Sequence, residues 1–389
     1  MLLRAKIYLI TILYLFGIIF TVLFPPRNFE QSGAKTRVVR STGDSLRFNK
    51  RYVDYNTLLS EVEKLSKVDV DMVRVVKLTP STYENRSLVA LELQSDKHAK
   101  KPGILVVGAL NGMSWGVPNA LLEITDRLLY DGNYQTPFFN DYNWYIIPMA
   151  NPDGIQFTQS LREYRPVDDL QWSSNISMRV KTRPHQWNKN VDREKPADAC
   201  FGTNINRNFA YHWQDDVRKK PARCSQYFPG SKPFSTAEAK ALRKYVENLG
   251  DSVNLAIHLH SSFVVKKEFI LYPWRYSKRL PSNHHVLQNI GEYAARLSRL
   301  PNGRLYEVHQ SSRDLKVAGS LSDFLAGVIG TDLVFLIKPY HEAYPNYSDP
   351  SPLEMYVKKS LTVIFSLVRG WRSSSHVNTL NFFGTDVEF

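Results

Sequence analysis

Short, wholly apolar runs alternate along this chain with segments whose apolar residues recur at helical spacing. The helical spacing occurs in Tyr55–Val68, Asn283–Leu300 and Leu353–Arg369. Strands are predicted at Val73–Lys77, Leu88–Leu93, Ile104–Gly108, Trp144–Pro148, Val253–Leu259, Glu268–Tyr272 and Leu333–Ile337. Ile104–Gly108 is a short continuous apolar run, as a buried central strand requires. Gly116–Leu129 is predicted as an amphipathic helix with Pro118 in its first turn, where a missing N–H is harmless. Ser235-Thr-Ala-Glu238 reads as a capping box opening a helix to about Leu249, with Gly250 just past its end. Strands alternating with helices indicate an α/β fold, with helices on both faces of a mixed sheet.

Composition narrows the class of protein. The 389 residues, 43% hydrophobic, suffice for one large core or two modest ones, and no internal repeat interrupts them. A net charge of +13 (50 basic against 37 acidic residues) favours acidic glycans or anionic surfaces as partners. Nucleic acid is not expected, because the basic residues are scattered and the chain reads as secretory.

The secretory reading rests on the first 25 residues. Arg4 and Lys6 precede an uncharged run from Ile7 to Phe24, closed by Pro25-Pro26. Its length lies between a signal-peptide core and a short spanning helix, so both a cleaved signal and an uncleaved membrane anchor fit. Residues 26–47 form a polar linker, 48–372 the folded domain and 373–389 a C-terminal tail. An extracellular or luminal domain follows either way. Asn85, Asn175 and Asn346 each begin an Asn-x-Ser glycosylation sequon suited to that compartment. Cys200 and Cys224 are the whole cysteine complement, and an oxidising compartment would pair them.

Several blocks carry candidate chemistry: Ala109-Leu-Asn-Gly-Met-Ser-Trp115, Asn151-Pro-Asp-Gly154, Cys200-Phe-Gly-Thr-Asn-Ile-Asn-Arg-Asn208, Ile257-His-Leu-His-Ser261 and Leu271-Tyr-Pro273. In this order they resemble the zinc metallocarboxypeptidases of the pancreatic A/B type. That resemblance implies a single domain with an eight-stranded mixed sheet, and a disulfide where the two cysteines stand. Active proenzymes of the type carry an inhibitory prodomain, for which the stretch before the first helix leaves no room.

The resemblance also implies a damaged site. The family's G-x-H-x-x-E-W frame supplies two zinc ligands, and Asn111 and Ser114 occupy those positions beside a retained Trp115. Catalytic zinc takes imidazole nitrogen and carboxylate oxygen, so a neutral amide and hydroxyl are poor substitutes. His260 matches the third ligand. His258 lies two residues earlier and on the same strand face, and with Asn111 it could support weak metal binding. The family's catalytic acid follows an aromatic pair in F-x-F-E-L-R, a frame read here over Leu333–Lys338 with Leu336 at the acid's position. Asp332 is roughly 13 Å upstream along a strand, too far to stand in. A mobile Tyr is likewise missing from Ser312–Ser320, where Asp314 occupies the degenerate position.

Substrate-binding positions survive better. Asn206 and Arg207 match a pair that grips a peptide's terminal carboxylate, and a guanidinium fork suits that group. Arg165 is the candidate for an oxyanion-polarising arginine, with Lys181-Thr-Arg183 an alternative register. Leu321 falls near the position that sets side-chain preference, so an apolar terminal residue is expected; a one-residue shift would put Ser322 there.

Three functions follow. The first is a catalytically inactive protein that binds peptide C-termini or another partner and needs no cofactor. The second is a divergent zinc carboxypeptidase releasing apolar C-terminal residues. The third is a basic surface or adhesion protein that uses no cleft at all.

Overall fold

Eight strands form one sheet in the order β1-β2-β4-β3-β5-β8-β6-β7. The computed structural model describes residues 46–68, 71–161, 187–193, 200–213, 221–261, 267–300, 302–341 and 349–381. The strands are β1 (Val73–Leu78), β2 (Leu88–Leu93), β3 (Gly103–Gly108), β4 (Asn143–Ile147), β5 (Val253–Leu259), β6 (Phe269–Tyr272), β7 (Glu307–Gln310) and β8 (Leu333–Lys338). β4, β3, β5 and β8 run parallel at the centre, while β1 and β2 continue antiparallel on one side. On the other side β6 pairs antiparallel with β8 and parallel with β7. The architecture is therefore the mixed α/β sheet that the alternation of elements predicted.

Side-chain alternation explains why the sheet is covered twice. On β3, Ile104 and Val106 enter one apolar cluster, and Leu105 and Val107 enter the other. The first cluster is closed by α1 (Tyr55–Val68), α2 (Gly116–Tyr130), α5 (His284–Leu297) and α7 (Ser351–Asn381). α4 (Ala237–Leu249) and the short α6 (Leu321–Phe324) close the second. Both faces are dry, as the continuous apolar runs require.

Several local readings change. α7 runs on to Asn381, well past Arg369, through residues assigned from sequence to a tail. β7 was not anticipated, because Glu307-Val-His-Gln310 is a polar four-residue edge strand. α3 (Pro152–Ser160) was also missed; Asn151 caps it by accepting from Gly154 N–H at 2.9 Å, with Pro152 in the first turn. The cap of α4 is Thr236, not Ser235, and its hydroxyl accepts from Ala239 N–H at 3.1 Å. Glu238 closes no capping box. It points inward, accepting from Asn190 Nδ2 at 3.0 Å.

The N-terminal apolar segment, Arg165, Lys181–Arg183 and the sequons at Asn175 and Asn346 lie outside the described residues. Asn85 is exposed on a turn with left-handed backbone, φ 60°. No helix among the described residues is long and apolar enough to cross a membrane.

Burial raises the Glu238 carboxyl from its ordinary 4.5 to about 8. A carboxyl raised on folding stabilises fully below its unfolded value, and the contribution is lost as pH rises through the folded value. Glu238→Gln should remove that loss. Relative to wild type, the variant should gain at most roughly 1.4 kcal/mol per pH unit between pH 5 and 8. Urea midpoints across this range are the measurement; parallel curves for the two proteins would contradict the assignment.

Candidate functional site

The site gathers at the carboxyl ends of the central parallel strands. Leaving β3, the chain turns at Ala109, whose backbone is left-handed at φ 57°. Such a turn carries a steric penalty of about 1–2 kcal/mol for a residue with a Cβ, and here it directs Leu110–Trp115 across the strand ends. Asn151 fastens this loop by donating to the Leu110 and Lys189 carbonyls at 3.1 and 3.0 Å. Trp115 donates its indole N–H to the Thr158 hydroxyl at 2.7 Å. Asn111 and Ser114 are consequently buried, at 6% and 1% exposure.

His260 follows the end of β5, its own N–H bonded to the Ile337 carbonyl at 2.9 Å. Its Nδ1 meets the Ser261 carbonyl, a contact that requires the proton on Nδ1 and leaves a lone pair on Nε2. Asn111 Nδ2 approaches that lone pair at 2.9 Å and also donates to Asn188 Oδ1 at 2.6 Å. Both amide protons of Asn111 are thereby used. Burial first, then the charges of Lys338 and Arg275, push His260 down to about 3, so its ring is neutral near pH 7. His258 is driven well below the ordinary value, again chiefly by burial, and neither ring nitrogen has a hydrogen-bond partner among the described residues.

Leu336 does not occupy the place expected of it. It pairs with His258, two residue pairs below the level of His260, and packs with Phe269 and Leu271. Parallel register carries the pairing on from Leu259–Ile337 to put Lys338 level with His260. Lys338 bonds the Asp314 carboxylate at 2.5 Å, with side-chain exposures of 13% and 22%. The degenerate tyrosine and acid positions are therefore joined as an ion pair. The pair leaves each group shifted in a way its neighbours explain. Burial raises Asp314, but Lys338 and Arg275 outweigh it and hold the carboxyl below its ordinary range. Burial and the Arg275 charge lower Lys338 against the pull of Asp314. Counting the aromatic frame from Phe335 would have landed on Lys338 from sequence.

Across the cleft, Asn206 and Arg207 lie on a single helical turn, Ile205–Arg207. Arg207 is half-buried with its guanidinium 4.8 Å from the centre of the Tyr227 ring. Asn206 Oδ1 accepts from Leu321 N–H at 3.1 Å. Gly319, at φ +66°, lets the chain pass the Arg207 carbonyl, which a Cβ would meet at 2.5 Å. Leu321 itself is fully buried with Ile205, Phe209 and Phe324, so it supports the turn and lines no open pocket. Cys200 and Cys224 form a disulfide at the edge of this region. Asn188, Lys338 and Arg275 belong to the site and were not singled out from sequence.

The donor set does not fit zinc. Among the described residues, no group of three His, Cys, Asp or Glu is placed to hold a metal. The imidazole lone pair faces an amide proton, and Ser114 offers a buried neutral hydroxyl.

Comparison with known proteins agrees with the fold. The family profile described as Peptidase_M14, zinc carboxypeptidase, matches residues 58–345. Carboxypeptidase B of Astacus astacus is 24% identical over 288 residues, covering 74% of this chain and 86% of that protein. The inactive metallocarboxypeptidase ECM14 of Saccharomyces cerevisiae is 27% identical over 295 residues, 72% of this chain and 61% of its own length. Zinc carboxypeptidase A 1 of Drosophila melanogaster is 25% identical over 238 residues, 60% of this chain; the match spans only 48% of that protein. Among solved structures, carboxypeptidase A from Helicoverpa armigera has a TM-score of 0.68 at 23% identity, covering 85% of this chain and 76% of that one.

Asn111→His combined with Ser114→Glu should recover zinc binding beside His260, with little turnover. Adding Lys338→Glu and Asp314→Asn should raise turnover by roughly 10²–10⁴-fold, the usual worth of acid–base help. Leu336→Glu in place of the Lys338 change should destabilise the core instead. Metal analysis and C-terminal residue release read these out. A folded double variant that takes up no zinc would refute the convergence of the three positions.

Proposed function

The chain belongs to the zinc carboxypeptidase family, and from that premise we propose that it binds peptide C-termini without hydrolysing them. The observation that carries this reading is the bond between Asn111 and His260, which commits the lone pair a metal would need. Lys338 adds to it: an ammonium beside the would-be reaction centre cannot take a proton from water. Catalytic loss at both places contrasts with retention of the carboxylate grip. Arg207 offers its fork from a turn braced by Leu321 and Tyr227, and holding the guanidinium in place lowers the entropy lost on binding.

In this reading the terminal carboxylate lies against Arg207 and Asn206, and the peptide runs outward past Lys338. The Cys200–Cys224 disulfide accords with work in an oxidising compartment of the secretory route. The basic surface would hold the protein near acidic glycans or anionic membranes.

Titration calorimetry with a peptide and its C-terminally amidated form tests the reading. The free acid should bind more tightly, and Arg207→Ala should reduce its affinity by roughly 10- to 100-fold, as for a lost charged hydrogen bond. Binding of the amide should not change. Chelator-sensitive release of C-terminal residues by the wild-type protein would overturn the non-hydrolytic part, and equal affinity for acid and amide the other.

A further inference from the structure

Arg275 is a buried cation without a close counter-ion. It is 7% exposed, and among the described residues no acceptor bonds its guanidinium and no carboxylate stands within ion-pair distance. The two nearby acids are engaged elsewhere. Asp323 accepts the backbone N–H groups of Arg275 and Tyr276 through its two oxygens, at 2.8 and 3.0 Å. Asp314 is bonded to Lys338. Burial lowers Arg275, and the pull of Asp323 and Asp314 offsets this only in part. A guanidinium presents five donors in one plane, and leaving them unmatched away from water is strongly unfavourable.

The position of Arg275 ties it to the carboxylate grip. Its field reaches His258, His260, Lys338 and Asp314, all at the cleft. Its backbone is bonded to Asp323, two residues from Leu321, whose N–H is bonded to Asn206 beside Arg207. The turn of α6 thus bridges Arg207 and Arg275. Further unmatched donors lie along the same segments. The hydroxyls of Ser312 and Ser322 are buried with no hydrogen-bond partner among the described residues, and Ser312 N–H bonds the carbonyl of Trp274, the residue before Arg275.

We infer that the site selects peptides ending in an acidic residue, with the terminal carboxylate at Asn206 and Arg207 and the side-chain carboxylate at Arg275. The inference rests on the carboxylate-binding reading above and replaces the apolar preference expected from Leu321, whose side chain is committed to the core. Ser312 and Ser322 supply hydroxyl donors to the second carboxylate. A guanidinium can take that group in a two-bond fork, which a neutral amide of the same shape cannot match.

The test uses the purified full chain and four short peptides that share one leading sequence. Three end in free Glu, Gln or Leu, and the fourth is the Glu peptide with an amidated terminus. Calorimetric affinities should place free Glu at least roughly tenfold tighter than Gln or Leu, the scale of one charged hydrogen bond. Arg275→Gln should bring Glu and Gln level, and Arg275→Lys should keep part of the preference. The wild-type ranking stands independently of whether the variants fold. If Gln or Leu binds as well as Glu, the acidic preference is overturned and the carboxylate grip survives. If no free acid binds, or the amide binds equally, the grip itself fails and the preference with it.

Discussion

The hydrogen bond between Asn111 and His260 is the contact on which this site depends. An imidazole can give its Nε2 lone pair to a metal or accept a proton there, and it cannot do both. Nδ1–H is already directed at the Ser261 carbonyl, so the ring's tautomer and orientation are set before Asn111 arrives. Asn111 then satisfies the remaining lone pair, and Asn188 takes its second proton. The His260 ring is thereby satisfied at both nitrogens, while Asn111 Oδ1, the Ser114 hydroxyl and the neighbouring His258 ring are buried with no hydrogen-bond partner among the described residues.

Electrostatics complete the change. A zinc enzyme's cleft balances a dication against carboxylates, whereas this cleft carries Arg207, Arg275 and Lys338 around two neutral histidines. Lys338 and Asp314 neutralise each other, and Asp323 is absorbed by backbone donors, which leaves Arg275 without an ion-pair partner among the described residues. Burial first, and then the neighbouring positive charges, lower both histidines below the ordinary imidazole range.

Buried polar fastenings shape the cleft. Asn151 ties the loop after β3 to the Lys189 segment, and Asn208 bonds the Pro229 and Lys232 carbonyls beneath the Arg207 turn. Asp323 anchors the segment that follows Pro273. These groups are buried, so losing any of them would strand carbonyls or N–H groups away from water, a penalty that acts on folding whatever the chemistry. The fastenings are different residues from Asn111, Ser114, His260 and Lys338, so the shape of the cleft does not depend on those groups.

Local patterning determined most of the fold. Six of the strands were legible as short apolar runs of buried strands, and the edge strand β1 by its valines and closing Leu78. β7 escaped because Glu307-Val-His-Gln310 has a single apolar residue. Motifs likewise determined where Asn111, Ser114, His260, Asn206 and Arg207 would lie. Tertiary structure decided what those residues do. The capture of the His260 lone pair joins positions 149 residues apart, and nothing local to either implies it. For Lys338 the sequence left two aromatic frames open, and the strand register chose the one that brings Lys338 level with His260. Glu238 looked like a helix cap until burial beside Asn190 made it a protonated core group. Hydrophobic periodicity is a property of neighbours in sequence, whereas hydrogen-bond partnership and desolvation are properties of neighbours in space.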